Sequence, residues 1–157
     1  MRSLRSRSVL SRSEESWSLV ALPRLIGRHN RSRQHTLTYS ATFKYHLAHP
    51  RNVGELSEAN AVAEETNPIC GDRMRLALVV RDTRIEKVKF LAYGCPPTLV
   101  TGSVLTELIT GKTINQARAL TSEELIDSVG GLPNRKHHAA ALAIEALASA
   151  LKNFGVR

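Results

Sequence analysis

Cysteines, aromatic residues and long apolar runs are all scarce in this chain of 157 residues. It contains two cysteines and seven aromatic side chains, too few to suggest a platform on which nucleic-acid bases could stack. No apolar run approaches the roughly 18 residues that a membrane-spanning helix needs. The sequence therefore predicts neither a nucleic-acid partner nor a membrane partner, and its length suits one domain of ordinary size.

The net charge of +8 does not reverse that conclusion, because most of the excess lies near the N-terminus. Residues 1–38 hold eight arginines, two glutamates and no lysine, whereas residues 39–157 hold 14 basic and 12 acidic side chains. An arginine- and serine-rich leader is typical of organelle import, although a disordered tail or a start codon placed too early also explains it. We predict that residues 1–38 are a disordered leader and that residues 39–157 form the folded domain.

The apolar patterns predict an α+β fold in which the strands come before most of the helices. A short amphipathic helix is expected over 39–49 and a short strand over 61–66. Alternating apolar residues from Arg73 onward and again over 85–93, joined by a short turn at 82–84, predict an antiparallel hairpin. The first strand of this hairpin is expected to have one buried face and one wet face, the latter formed by Arg73, Arg75 and Ala77.

Helices are predicted for most of the remaining chain. One begins at Pro96 or Pro97 and stops at Gly111, with an apolar stripe formed by Leu99, Val100, Val104 and Leu108. Capping-box spacings at Thr113 and Thr121 indicate two further helix starts. The spacing of apolar residues predicts a final helix over about 135–153.

Both cysteines lie at the outer ends of the predicted hairpin, which brings them together despite a separation of 25 positions. Cys70 is followed by a glycine and Asp72, and Cys95 is preceded by a glycine and begins a helix. The unpaired N–H groups of a helix N-terminus would favour a Cys95 thiolate. We expect Cys70, Asp72 and Cys95 to form three corners of a metal or cluster site, with His137 or His138 as the fourth.

Each of these residues also has an ordinary structural explanation. A free cysteine is often a small buried hydrophobic residue, and an aspartate after Cys-Gly is often a turn residue. A pair of histidines at a helix start usually lies on the surface. A disulfide is a further alternative for the cysteines, although nothing else indicates secretion. The spacing alone therefore leaves several interpretations open.

Several segments, in the same order, resemble the iron–sulfur cluster scaffold family that includes IscU and the N-terminal domain of NifU. They are HPRNVG (49–54), NPICGD (67–72), FLAYGC (90–95), ELITGKT (107–113) and LPNRK (132–136). The resemblance covers about residues 39–154 and implies a small antiparallel sheet of three strands packed by helices. It also implies a scaffold, not an enzyme, that receives sulfur from a cysteine desulfurase and assembles a [2Fe–2S] cluster for acceptor proteins.

Carried over by position, the resemblance implies that Cys70, Cys95 and His138 ligate iron or the cluster and that Asp72 is linked with its release. The third ligand cysteine of the family would fall at position 139, where this chain has Ala139. An alanine can neither ligate iron nor accept a persulfide, so assembly by the ordinary route is not expected. A second departure is the Pro-Pro pair at 96–97, where the family prefers small residues.

The segment at 132–136 stands where the family carries a Leu-Pro-Pro-Val-Lys recognition sequence for a chaperone. Leu132, Pro133 and Lys136 match it and are the candidate partner-binding residues, but the second proline and the valine are missing. Dedicated chaperone docking is therefore not expected. These departures would be unusual in a mitochondrial copy, which favours a bacterial cytoplasm over the mitochondrial matrix.

Two other functions remain as alternatives at this stage. The chain could bind zinc or iron as an accessory module without building clusters, since Cys, Cys, His and Asp make an acceptable tetrahedral zinc set. It could also be a zinc hydrolase, which needs an open coordination position and a general base. His137 is the only spare candidate for that base, and no substrate-pocket motif accompanies it.

Overall fold

The computed structural model describes residues 38–155. Almost all of the predicted leader, residues 1–37, lies outside the described residues, so its predicted disorder stays a prediction. The described part forms one three-stranded antiparallel sheet packed by helices, which confirms the predicted α+β class. None of its helices is long and apolar enough to cross a membrane.

The sheet is formed by β1 (Ala61–Thr66), β2 (Arg73–Arg81) and β3 (Arg84–Tyr93), in that spatial order. β2 is the central strand and pairs antiparallel with both neighbours. Asp82 and Thr83 form the turn between β2 and β3, and both have positive φ angles, 47° and 64°. Two such residues match the twist of a hairpin, so this connection is as tight as the sequence predicts.

The described part contains five α-helices, and the sequence predicts the cap of several of them. They are α1 (Ala41–Ala48), α2 (Pro96–Ile109), α3 (Ile114–Arg118), α4 (Ser122–Val129) and α5 (His137–Asn153). Both predicted capping boxes are present, at the starts of α3 and α4. The final helix begins at His137, two residues later than expected, because residues 134–136 form a single 3-10 turn before it.

The hydrophobic core lies between the sheet and the helices, with α2 packed on β3 and α5 packed on β1 and β2. Gly102 allows α2 to lie close to the sheet. A Cβ at this position would lie 3.1 Å from Met74 Cε and closer still to the ring of Phe90. This packing brings the N-terminal ends of α2 and α5 to the outer end of the β2–β3 hairpin, where the site residues lie.

Two burial patterns differ from those predicted. The face of β2 that was expected to be solvent-exposed is buried in the middle of the strand, since Ala77 and Val79 are only 5% and 3% exposed. Small residues of a central strand are shielded by longer neighbours, and Lys89 and Lys87 stand opposite them on β3. On α2, the buried face is wider than the predicted apolar stripe of Leu99, Val100, Val104 and Leu108. Leu105 and Ile109 are fully buried, as are four hydroxyl-bearing residues of the helix: Thr98, Thr101, Ser103 and Thr106.

Candidate metal and cluster site

Cys70 lies in the tight loop that connects β1 to β2. The loop is closed by backbone hydrogen bonds, from Asn67 N–H to the Asp72 carbonyl and from Gly71 N–H to the Asn67 carbonyl, both 2.8 Å. Gly71 has a φ of +75°, a conformation that glycine adopts without strain. The loop leaves Cys70 exposed to solvent, beside an Ile69 side chain that is 94% exposed.

Asp72 lies at the other end of this loop, and the strand register places it beside Gly94. Arg73 pairs with Tyr93, so the residues just beyond this pair, Asp72 and Gly94, are also adjacent. The fit is close, since a Cβ on Gly94 would lie 2.9 Å from Asp72 Cβ and closer still to the carboxylate. Any residue larger than glycine at position 94 would therefore displace the Asp72 side chain.

The Asp72 carboxylate is the common neighbour of the other candidate ligands. Its Oδ2 accepts a 2.7 Å hydrogen bond from Thr98 Oγ1 and a 3.2 Å hydrogen bond from Cys95 Sγ, and it lies 3.8 Å from His138 Nε2. The side chain is nearly buried, with Asp72 6% exposed, whereas Cys95 is half-buried. The Cys95 thiol, the Thr98 hydroxyl and the His138 imidazole therefore all lie near one oxygen atom of Asp72.

Three of the four predicted ligands already have the spacing of a metal site. One ligand atom from each of Cys70, Asp72 and His138 lies within 4.8 Å of the other two. Cys95 is not a member of that compact set, but its sulfur lies on the same carboxylate. Thiolate, imidazole and carboxylate together suit zinc, iron or an iron–sulfur cluster.

The pKa of Asp72 lies below its ordinary value. Burial raises the pKa, but hydrogen bonds from Thr98, Cys95 and Cys70 to the carboxylate oppose burial and outweigh it. The carboxylate is thus ionised at neutral pH although Asp72 is only 6% exposed. An ionised carboxylate is the form that can ligate a metal ion.

His138, and not His137, supplies the imidazole of the site. His138 Nδ1 lies 3.0 Å from the carbonyl oxygen of Arg135, which can only accept, so Nδ1 carries the proton. In the neutral ring this leaves Nε2, the nitrogen facing Asp72, free to ligate, as is usual for metal-binding histidines. His137 is exposed, and its Nε2 is bonded to the Leu132 carbonyl at 3.0 Å.

Cys95 occupies the N-cap position of α2, but the expected support from backbone N–H groups is missing. Pro96 and Pro97 have no N–H, and the N–H of Thr98 donates to the Cys95 carbonyl at 2.9 Å. The expectation of free helix N–H groups near this sulfur is therefore wrong. The group that reaches Cys95 Sγ instead is the Thr98 hydroxyl, at 3.4 Å. The sequence signal for it was a threonine directly after two prolines at a helix start.

Comparison with known proteins identifies the family of the chain independently of the geometry of the site. Residues 38–157 match the family described as the NifU-like N-terminal domain. The chain belongs to this family. The iron-sulfur cluster assembly scaffold protein IscU 1 of Archaeoglobus fulgidus is 40% identical over 116 residues, covering 74% of this chain and 76% of that protein. The scaffold protein IscU of Aquifex aeolicus is 40% identical over 111 residues, covering 69% of this chain and 71% of that protein.

A solved structure shares the fold. The N-terminal NifU-like protein of Brucella abortus superposes with a TM-score of 0.63 over 75% of this chain and 94% of that chain, at 17% identity. The recognition of an IscU- and NifU-like chain from its sequence segments is thus confirmed. The relatives from Archaeoglobus fulgidus and Aquifex aeolicus are iron-sulfur cluster assembly scaffold proteins.

At position 139, where the family pattern has its third ligand cysteine, this NifU-like chain has a buried alanine. Ala139 is fully buried in the first turn of α5, and its carbonyl accepts a hydrogen bond from Thr101 Oγ1 at 3.2 Å.

Among the predicted partner-binding residues, Leu132 is only 8% exposed, while Pro133 and Lys136 are half-buried. Leu132 therefore has little surface to offer a partner unless the segment moves.

Proposed function

We propose that this protein is a scaffold on which an iron–sulfur cluster is assembled and from which it is passed to acceptor proteins. The ligands in this proposal are Cys70, Asp72, Cys95 and His138. The observation that supports it most strongly is the common Asp72 carboxylate, which lies 3.2 Å from the Cys95 sulfur and within 4.8 Å of the other two ligand atoms. Membership of the family and 40% identity to named scaffold proteins support the same function.

The ligand set suits a cargo that must be held and then released. A [2Fe–2S] cluster is bound mainly by thiolates, and this chain offers two of them. Imidazole and carboxylate complete four ligands, and the carboxylate is a harder donor that matches iron–sulfur chemistry less well than a thiolate does. With alanine at position 139, we propose that Asp72 and His138 hold one side of the cluster without a third sulfur.

The proposed partners are a cysteine desulfurase, as the source of sulfur, and acceptor proteins for the finished cluster. Exposure of Cys70 in a surface loop gives such partners access to the site. Chaperone docking through residues 132–136 is not part of the proposal, because the segment departs from the family sequence and Leu132 is buried. The cytoplasm is the proposed location. The alternative is the mitochondrial matrix, which would apply if residues 1–38 contain a transit peptide.

The test is anaerobic reconstitution of the full chain with iron, sulfide and reductant. We expect a visible cluster chromophore with iron and sulfide in equal amounts, lost in Cys70→Ala and in His138→Ala. The neighbouring variant His137→Ala is the matched control and should retain the chromophore, because His137 is bonded to the Leu132 carbonyl and does not belong to the compact set of ligand atoms. A colourless protein that holds one zinc ion and no sulfide would overturn the proposal in favour of a metal-binding accessory module.

A further inference from the structure

The Thr98 hydroxyl is buried at the centre of the site, although Thr98 is not itself a predicted ligand. The residue is fully buried, and Oγ1 donates a 2.7 Å hydrogen bond to Asp72 Oδ2 while lying 3.4 Å from Cys95 Sγ. It thus touches two candidate ligands that flank different strands, Asp72 before β2 and Cys95 after β3. A buried hydroxyl without a partner is costly, so this contact holds both Thr98 and the carboxylate in place.

The local backbone limits what else can hold the Asp72 carboxylate, to which the backbone N–H of Cys95 also donates a hydrogen bond. Pro96 and Pro97 remove the first two N–H groups of α2, and the third is bonded to the Cys95 carbonyl. A carboxylate near a helix start is ordinarily fixed by such N–H groups. Here the Thr98 hydroxyl binds Asp72 Oδ2 at 2.7 Å, closer than the 3.2 Å contact of Cys95 Sγ with the same atom.

We propose that Thr98 is a positioning residue of the metal site. Its hydroxyl fixes the Asp72 carboxylate beside the Cys95 sulfur, so that the carboxylate can ligate together with Cys70 and Cys95. The inference rests on the proposed function, since it assumes that Asp72 is a ligand. Groups that orient a ligand without touching the metal typically change metal affinity by about 10- to 100-fold when they are removed.

Thr101 provides a matched control on the same helix. It is also fully buried, and its hydroxyl donates to two backbone carbonyls, those of Thr98 and Ala139, at 3.2 Å each. Thr101→Val therefore removes a buried hydroxyl of the same kind without removing a hydrogen bond to any candidate ligand side chain. If Thr98 matters only for packing or for general stability, the two variants should behave alike.

The experiment measures cobalt(II) binding to the full chain, reduced and without oxygen, by competition with a chelator and by visible absorption. For Thr98→Val we expect an affinity about 10- to 100-fold weaker and less intense ligand-field bands, because water replaces a misplaced carboxylate. Thr98→Ser keeps the hydroxyl and should restore both properties. Thr101→Val should bind cobalt as the unchanged protein does, and circular dichroism establishes that each variant is folded.

Several results would overturn the inference. These are equal losses in Thr98→Val and Thr101→Val, equal losses in Thr98→Val and Thr98→Ser, or unchanged cobalt binding in Thr98→Val. If Thr98→Val does not fold, Thr98→Ala removes the same hydroxyl and is judged by the same criteria. The proposed function fails separately, when reconstitution yields a colourless protein without sulfide. The assumption that Asp72 and Cys70 are ligands fails if Asp72→Ala and Cys70→Ser bind cobalt as tightly as the unchanged protein does.

Discussion

A single methyl group at position 94 should disrupt the site, because Gly94 and Asp72 occupy adjoining space. Gly94 has a φ of +151°, and an added Cβ would lie 2.9 Å from Asp72 Cβ and closer to its carboxylate. Gly94→Ala therefore combines two costs. The backbone conformation costs about 1–3 kcal/mol for a residue with a side chain, and displacing Asp72 from Thr98 costs about 1.5–3 kcal/mol for a hydrogen bond to a charged group.

Gly54→Ala separates these two contributions. Gly54 has a comparable φ of +130°, but an added Cβ would meet nothing within 4 Å. The free energy of unfolding of Gly54→Ala should fall only by the cost of the backbone conformation. Gly94→Ala should therefore be less stable than Gly54→Ala by about a further 1.5–3 kcal/mol. Urea denaturation of the metal-free protein measures this difference. With a slope of about 1–3 kcal/mol per M, the two midpoints should lie roughly 1 M apart.

Cobalt binding gives a second measure of the same perturbation. Gly94→Ala should bind cobalt weakly, since Asp72 is displaced, whereas Gly54→Ala should bind it as the unchanged protein does. Equal urea midpoints for the two variants, together with equal cobalt affinities, would refute the reasoning. In that event the Asp72 side chain would have room to move aside at no cost, and its position in the structure would not depend on Gly94.

Two further predictions concern Asp72 and Ala139. Because the pKa of Asp72 lies below its ordinary value of 3.8, its ionised form stabilises the metal-free fold above that pH, and this contribution is lost as the pH falls through the lowered pKa. Urea denaturation across acidic pH should therefore show a shallower loss of stability in Asp72→Asn than in the unchanged protein, and parallel curves would contradict this. Ala139→Cys should slow the loss of a reconstituted cluster to a chelator, since it would offer the cluster a third thiolate ligand. Ala140→Cys, equally buried one residue later, should not, and equal effects in both would contradict a specific role for position 139.

The strands and helix starts were predictable because local patterns determine them. The alternation from Arg73 onward, the short turn at Asp82 and Thr83 and the capping boxes at Thr113 and Thr121 all recur in the structure. What local patterns did not predict was burial on both faces of β2, at Ala77 and Val79. Their shielding depends on which strands lie on either side and how long the opposing side chains are, and periodicity contains neither fact.

The members of the site were also predictable, but their mutual arrangement was not. The residues and their spacing indicated Cys70, Asp72, Cys95 and either His137 or His138, and only the family resemblance selected His138. That choice depends on the 3-10 turn at 134–136, which sets where α5 begins and directs His138 toward the carboxylate. Thr98 was missed because its importance arises from the absence of N–H groups at two prolines, which the sequence analysis treated only as a helix start.

The central position of Asp72 follows from the register of the hairpin more than from its place in the sequence. Pairing of Arg73 with Tyr93 sets Asp72 against Gly94, and Gly94 lies next to the cysteine that begins α2. A shift of one residue in this register would turn the Asp72 side chain to the opposite face of the sheet, away from Cys95 and Thr98. The tight turn at Asp82 and Thr83, far along the hairpin from the site, is therefore one of the features on which its geometry depends.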